Sequence, residues 1–175
     1  LAMFNLHHRI NRILIKLSYR LGVSKLFSMP KMLALDPTNL CDLKCPLCPT
    51  GLRDKTVERG SIKLEQFKNI VNRLGKYLQS INLYSWGEPL LHKSLVDMIR
   101  HTAINNKIRT ITSVHLGNLS DEQVEGLATS GLDKLIVSVD GATQEVYEKY
   151  RVGGDIEKVF ANMNRLVEAK KRHNS

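Results

Sequence analysis

From residue 32 onward, short β-branched runs alternate with segments whose apolar residues recur every three or four positions. The runs at Met32–Asp36, Ile81–Tyr84, Ile108–Val114 and Lys134–Val139 predict strands. The longer-period segments at Leu64–Tyr77, Ser94–Asn105, Asp121–Ser130, Thr143–Tyr150 and Ile156–Lys171 predict helices. Leu64, Phe67, Ile70, Val71 and Leu74 fall on one helical face and are core candidates. Ser120 and Thr143 stand where N-caps belong, and Gly131 where a helix should close. Regular strand–helix alternation implies βαβ units, a parallel sheet and an α/β fold.

Before that region lies one helical pattern, residues 4–21. Ile10, Ile13, Leu14, Leu17 and Leu21 make an apolar stripe, with Arg9, Arg12, Lys16 and Arg20 in a second stripe beside it. Gly22 and Pro30 end it, so residues 1–31 read as a basic amphipathic helix with a linker, and 32–175 as the main domain. Such a helix either packs on the domain with a solvated basic edge or makes a peripheral contact with an anionic membrane or partner.

Composition narrows the class. An apolar fraction of 42% and a charged fraction of 25% are those of a globular chain with one core. No run of 18 or more apolar residues occurs, and Arg12, Lys16 and Arg20 break the N-terminal pattern, so neither a spanning helix nor a signal peptide is expected. A cytoplasmic, reducing setting follows as the expectation. The net charge is +9, from 26 basic and 17 acidic side chains, yet Arg9, Arg12, Lys16, Arg20, Lys25 and Lys31 all precede the first acid, Asp36. That asymmetry argues against a nucleic-acid-binding surface spread over the whole domain. The chain begins at Leu1 and ends at Ser175 in a helix with no closing element, which suggests a fragment.

In parallel α/β structures ligands bind at the carboxyl ends of the strands. The first strand is followed by the only three cysteines, Cys41, Cys45 and Cys48, spaced Cys-x3-Cys-x2-Cys. A disulfide would leave one unpaired, whereas soft thiolates select zinc, copper(I) or iron–sulfur clusters. Three thiolates suit a four-iron cluster with one iron free of protein ligands. A zinc site would need a fourth ligand, for which His92, His101 and His115 are the candidates. The second strand is followed by Trp86-Gly87-Glu88-Pro89, the third by Ser113-Val114-His115-Leu116-Gly117 and the fourth by Ser138-Val139-Asp140-Gly141. Ser138 and Asp140 are two apart and are expected to face one side of the strand, as are Ser113 and His115.

The cysteine loop after a first strand resembles that of the radical S-adenosylmethionine (SAM) enzymes. The resemblance covers about residues 32 to 171 and implies a partial (β/α)6 barrel, cut after about four βα units, behind the N-terminal helix. It implies a [4Fe–4S] cluster on Cys41, Cys45 and Cys48 and SAM on the open iron. Reductive cleavage of SAM would give a 5′-deoxyadenosyl radical that abstracts hydrogen from a peptide or small molecule, with flavodoxin or ferredoxin as electron donor. Trp86-Gly87-Glu88-Pro89 is similar to the family's Gly-Gly-Glu-Pro element, which meets the amino group of SAM. Trp86 in place of the first glycine is a variant of the branch carrying a SPASM or twitch extension, but no cysteine follows Cys48 in these residues. Ser138 and Arg151 match a serine and an arginine that hold the carboxylate and ribose of SAM, and Asp140 joins them as a candidate. Where relatives read Thr-Asn-Gly this chain has Val114-His115-Leu116, so His115 stands where an asparagine is expected. The competing class is a zinc-stabilised binding module whose basic helix grips an anionic partner.

Overall fold

The computed structural model describes residues 2–175. Its centre is a sheet of four parallel strands, β1 (Met32–Ala34), β2 (Ser80–Asn82), β3 (Arg109–Val114) and β4 (Lys134–Val137), in the order β1-β2-β3-β4. Leu33 pairs with Ile81, Ile81 with Thr110, and Ser113 with Ile136. Sequential order with one crossover hand carries the connecting helices on one face, as in a barrel wall.

Side-chain burial follows the strand period. Ile81, Leu83, Thr110, Thr112 and Val114 are buried, while Asn82, Tyr84, Ile111 and Ser113 between them are only half-buried. The buried face packs on α2 (Leu64–Leu74), α3 (Leu95–Arg100), α4 (Asp121–Thr129) and α6 (Ile156–His173). Phe67, Val71, Met98, Ile99 and Val159 are completely buried there, each contributing about 1.5–3 kcal/mol of apolar transfer. The threonines on this face are satisfied: Thr112 Oγ1 donates to Leu83 O at 2.9 Å, and Thr110 Oγ1 to Thr102 Oγ1 at 2.8 Å. The other face is open.

The helix closing the second βα unit differs from its expected form. After α3 the chain widens into a π turn over His101–Asn105. The buried Thr102 hydroxyl bonds back to Met98 O and Ile99 O, and Asn106 Nδ2 takes His101 O, competing with the regular ladder. Strands are shorter than their patterns, although Leu35 N–H to Asn82 O and Leu83 N–H to Ile111 O extend the pairing by one bond each. Caps behave as expected at α4, where Ser120 and Gln123 form a reciprocal capping box. Its closing residue is Ser130, with Gly131 next in the left-handed region at φ 77°. Thr143 caps α5 (Gln144–Tyr150), and Asp155, unremarked in the sequence, caps α6.

The N-terminal helix, α1 (Ala2–Leu21), lies beside the amino ends of β1 and β2, where His8, Asn11, Arg12 and Ile15 share a hollow with Lys31, Tyr77 and Gln79. Among the described residues no helix is long and apolar enough to cross a membrane.

Candidate functional site

The carboxyl ends of the four strands surround a cavity of about 240 Å³. Cys41, Cys45, Cys48, Trp86, Gly87, Glu88, His115, Ser138 and Arg151 all line it, so of the cluster and SAM candidates read from the sequence only Asp140 lies outside.

The cysteine loop is held from three sides. Lys44 N–H donates to Val152 O at 2.9 Å, tying it to the turn after α5, and Glu88 N–H donates to Leu40 O at 2.8 Å. Gly51 packs so closely that a Cβ there would sit 2.5 Å from the backbone of Cys45. Gly87 is tighter still, because a Cβ would lie 1.7 Å from Thr38 O. This is the physical requirement for glycine in the Trp-Gly-Glu-Pro element: two backbones touch. Trp86 N–H donates to the Asp36 carboxylate at 3.1 Å, Trp86 O lies 4.0 Å from Cys48 Sγ, and the indole is exposed at the rim.

Glu88 is 3% exposed and works as a strut. One oxygen accepts from Leu90 N–H at 3.1 Å, and the other from His115 N–H at 2.8 Å, joining the ends of β2 and β3. Burial raises its pKa, against the opposing pull of His115 and the two N–H donors.

His115 is buried and spans two loops. Nε2 donates to Asp42 Oδ1 at 2.7 Å, and Nδ1 accepts from Gly117 N–H at 3.0 Å. Asp42 Oδ2 also accepts from Asn118 Nδ2 at 2.7 Å. Burial disfavours the charged imidazole, but the hydrogen bonds to Asp42 and Cys41 and the charges of Glu88 and Asp42 outweigh it and raise its pKa. The Gly117 N–H resists that rise, because its bond needs the Nδ1 lone pair. The turn is made by Leu116, in the left-handed region at φ 61°, whose carbonyl accepts from the buried Asn162 of α6. His115 is thus a link between loops, and its ring nitrogens are already engaged.

Ser138 and Asp140 do not share a strand face, since β4 ends at Val137. Ser138 stays at the cavity, its hydroxyl 3.3 Å from Ser113 Oγ. Asp140 lies in the turn toward α5, outside the cavity lining, and its carboxylate accepts from Arg151 Nε at 2.5 Å. Arg151 therefore pairs with Asp140, while Glu148 accepts from Gln144. The other edge of the guanidinium reaches Cys45 Sγ at 3.9 Å. Burial raises the Cys45 pKa, and the Arg151 charge works against that rise, favouring a thiolate.

The donor set distinguishes a cluster from a single zinc ion. A tetrahedral zinc with bonds of about 2.3 Å needs its sulfurs about 3.8 Å apart. Among the described residues the group of ligand atoms gathered within 4.8 Å is Cys41, Asp42 and His115; the three sulfurs are not so gathered. Asp42 and His115 stand at hydrogen-bond distance, closer than two ligands on one zinc. His92 and His101 are spent elsewhere, bonded to Ile62 O and Asn72 Oδ1. Three free thiols bordering one cavity fit the wider cluster.

Asp42, Asn118 and Asp36 were missed by the sequence reading. Only Asp42 had a signal, its place inside the cysteine loop.

A parallel half-barrel with a three-thiol loop at its carboxyl rim defines a thiolate-ligated cluster protein. The model of the Radical SAM superfamily matches residues 35–175, and the chain belongs to that family. Its cofactors are accordingly a [4Fe–4S] cluster and SAM. It is 33% identical over 136 residues to a PqqA peptide cyclase from Rhodopseudomonas palustris, covering 76% of this chain and 34% of the relative. It is 27% identical over 141 residues to an AdoMet-dependent heme synthase from Methanosarcina barkeri, covering 80% and 40%. Among solved structures, Streptococcus suis SuiB bound to S-adenosylmethionine superposes with a TM-score of 0.72 at 18% identity, over 90% of this chain and 35% of SuiB. The chain thus spans well under half the length of these relatives.

Proposed function

We propose that these residues hold the cluster and one side of SAM in a radical SAM enzyme that acts on a peptide. The observation that carries this reading is the convergence of Cys41, Cys45 and Cys48 with Glu88, Ser138 and Arg151 on one cavity. When bound, the cluster supplies the electron that cleaves SAM and yields the 5′-deoxyadenosyl radical, which takes hydrogen from the substrate.

Cys41, Cys45 and Cys48 would hold the cluster, and three thiolates for four irons would leave it able to take SAM as a further ligand. Arg151, oriented by Asp140, presents a guanidinium beside Cys45 that suits the carboxylate of SAM and offsets thiolate charge. Each Glu88 oxygen accepts one N–H and keeps a lone pair for the SAM ammonium. Ser138 offers its hydroxyl to the ribose. His115 serves indirectly, holding Asp42 and with it the entry to the cysteine loop. Trp86 covers the rim against water.

The peptide reading rests on the 33% identity to a peptide cyclase, and the half-buried face of the sheet leaves room beside the cavity for a chain segment. A small-molecule substrate is the alternative, since a GTP 3',8-cyclase is 27% identical. A flavodoxin or ferredoxin is the electron donor of this scheme.

The test is anaerobic reconstitution with iron and sulfide, followed by EPR after dithionite with and without SAM. A reduced-cluster signal that changes shape with SAM is expected. A colourless protein holding one zinc per chain would overturn the reading. Peptide-dependent release of 5′-deoxyadenosine by the full-length gene product, with none prompted by GTP, decides the substrate class.

A further inference from the structure

Helix α1 is docked the opposite way round from an ordinary amphipathic helix, which buries its apolar stripe. Leu6, Ile10, Ile13, Leu17 and Leu21 fall within roughly 80° of arc at 100° per residue, and all five point outward, 47–64% exposed. The most buried side chains of the helix are instead polar, Asn11 at 4% and Ser18 at 8% exposed, with Leu14 and Ile15 only half-buried beside them. That orientation is fixed, because Asn11 bonds the backbone of Met29 twice, from Nδ2 to the carbonyl at 2.9 Å and from the Met29 N–H to Oδ1 at 2.8 Å. Just beyond the helix, Leu26 and Phe27 are 58% and 81% exposed.

Charge says what covers the stripe. Arg9, Arg12, Lys16 and Arg20 occupy the adjoining arc, and no acid precedes Asp36. Among the described residues none of these four is in an ion pair. A second copy of the helix would bring two basic stripes together without compensating acids. An anionic bilayer meets both needs at once, taking the leucines and isoleucines below its headgroups and the cations onto its phosphates.

We propose that α1 lies in the surface of an anionic membrane, with Leu6 to Leu21 inserted and the basic arc on lipid phosphates. The helix shares a hollow with Lys31, Tyr77 and Gln79, beside the amino ends of β1 and β2. The cysteine cavity is at the carboxyl ends, so the docked enzyme keeps its site open to the aqueous side.

The experiment is co-sedimentation of the whole chain with phosphatidylcholine vesicles and with vesicles containing about one-third phosphatidylglycerol. Binding to the anionic vesicles, weakened by salt, is expected. Leu17→Glu should weaken it about tenfold or more, and Arg20→Gln, whose cation borders the apolar stripe, about fivefold at low salt. Both side chains lie outside the core, so the unfolding midpoint of each variant should match the parent and exclude misfolding. Failure to bind anionic vesicles, or salt-insensitive binding equal to that on phosphatidylcholine alone, would overturn the proposal. So would a dimer in light scattering that Leu17→Glu dissolves while no vesicle is bound.

Discussion

Asp42→Ala is the sharpest probe of how the cavity is assembled. The carboxylate accepts from His115 Nε2 and from Asn118 Nδ2, both at 2.7 Å, and so pins the start of the cysteine loop to the end of β3. A hydrogen bond to a charged group contributes about 1.5–3 kcal/mol, and a buried donor left without a partner costs about 1–3 kcal/mol. His115 is 4% exposed, so water replaces little of what it loses, whereas the Asp42 side chain is 33% exposed and Asn118 can turn to solvent. The net loss is therefore about 2–4 kcal/mol, a large share of the roughly 5–15 kcal/mol that stabilises a domain. Urea unfolding of the metal-free chain reads this directly as a lower midpoint at unchanged slope. Asp42→Asn should lose about half as much, because its carbonyl can serve one donor while its amide faces the other. In a double-mutant cycle with His115→Ala the two changes should couple by about 1–2 kcal/mol. Iron bound after reconstitution should fall in parallel, since Cys41 is the preceding residue. An Asp42→Ala midpoint within about 0.5 kcal/mol of the parent, with full iron loading, would refute the latch.

Replacing Cys41, Cys45 and Cys48 together by serine should take reconstituted iron from about four per chain to near zero and abolish the visible absorption. Gly87→Ala should prevent cluster assembly and lower the unfolding midpoint, because its Cβ would meet Thr38 O at 1.7 Å with only backbone to yield; circular dichroism and iron analysis check both parts. Tyr147→Phe should be neutral or stabilise by up to about 1 kcal/mol in thermal unfolding, since the buried Tyr147 hydroxyl has no partner among the described residues. Arg151→Lys should weaken SAM binding measured by its effect on the EPR signal, because an ammonium cannot face Asp140 and Cys45 with separate edges.

The sequence by itself determined whatever is set within a few neighbouring residues. Three thiols within eight positions lie close together in any fold, so the cluster reading needed no tertiary information. The alternation of β-branched runs with helical periods gave the α/β class, and Ser120 with Gln123 marked the start of α4 through bonds three residues apart. Tertiary structure alone decided contacts between residues brought together by crossovers. His115 finds Asp42 across 73 positions, and no local period encodes that distance. Arg151 chose Asp140 over Glu148 because β4 stops at Val137 and the turn swings Asp140 back over α5. The widening of α3 into a π turn came from the side chain of a buried threonine rather than from helix propensity. The outward aim of the α1 stripe was undetermined for the same reason. A helical pattern fixes which residues share a face, and only the partners that dock, here Asn11 on Met29, fix which face looks inward.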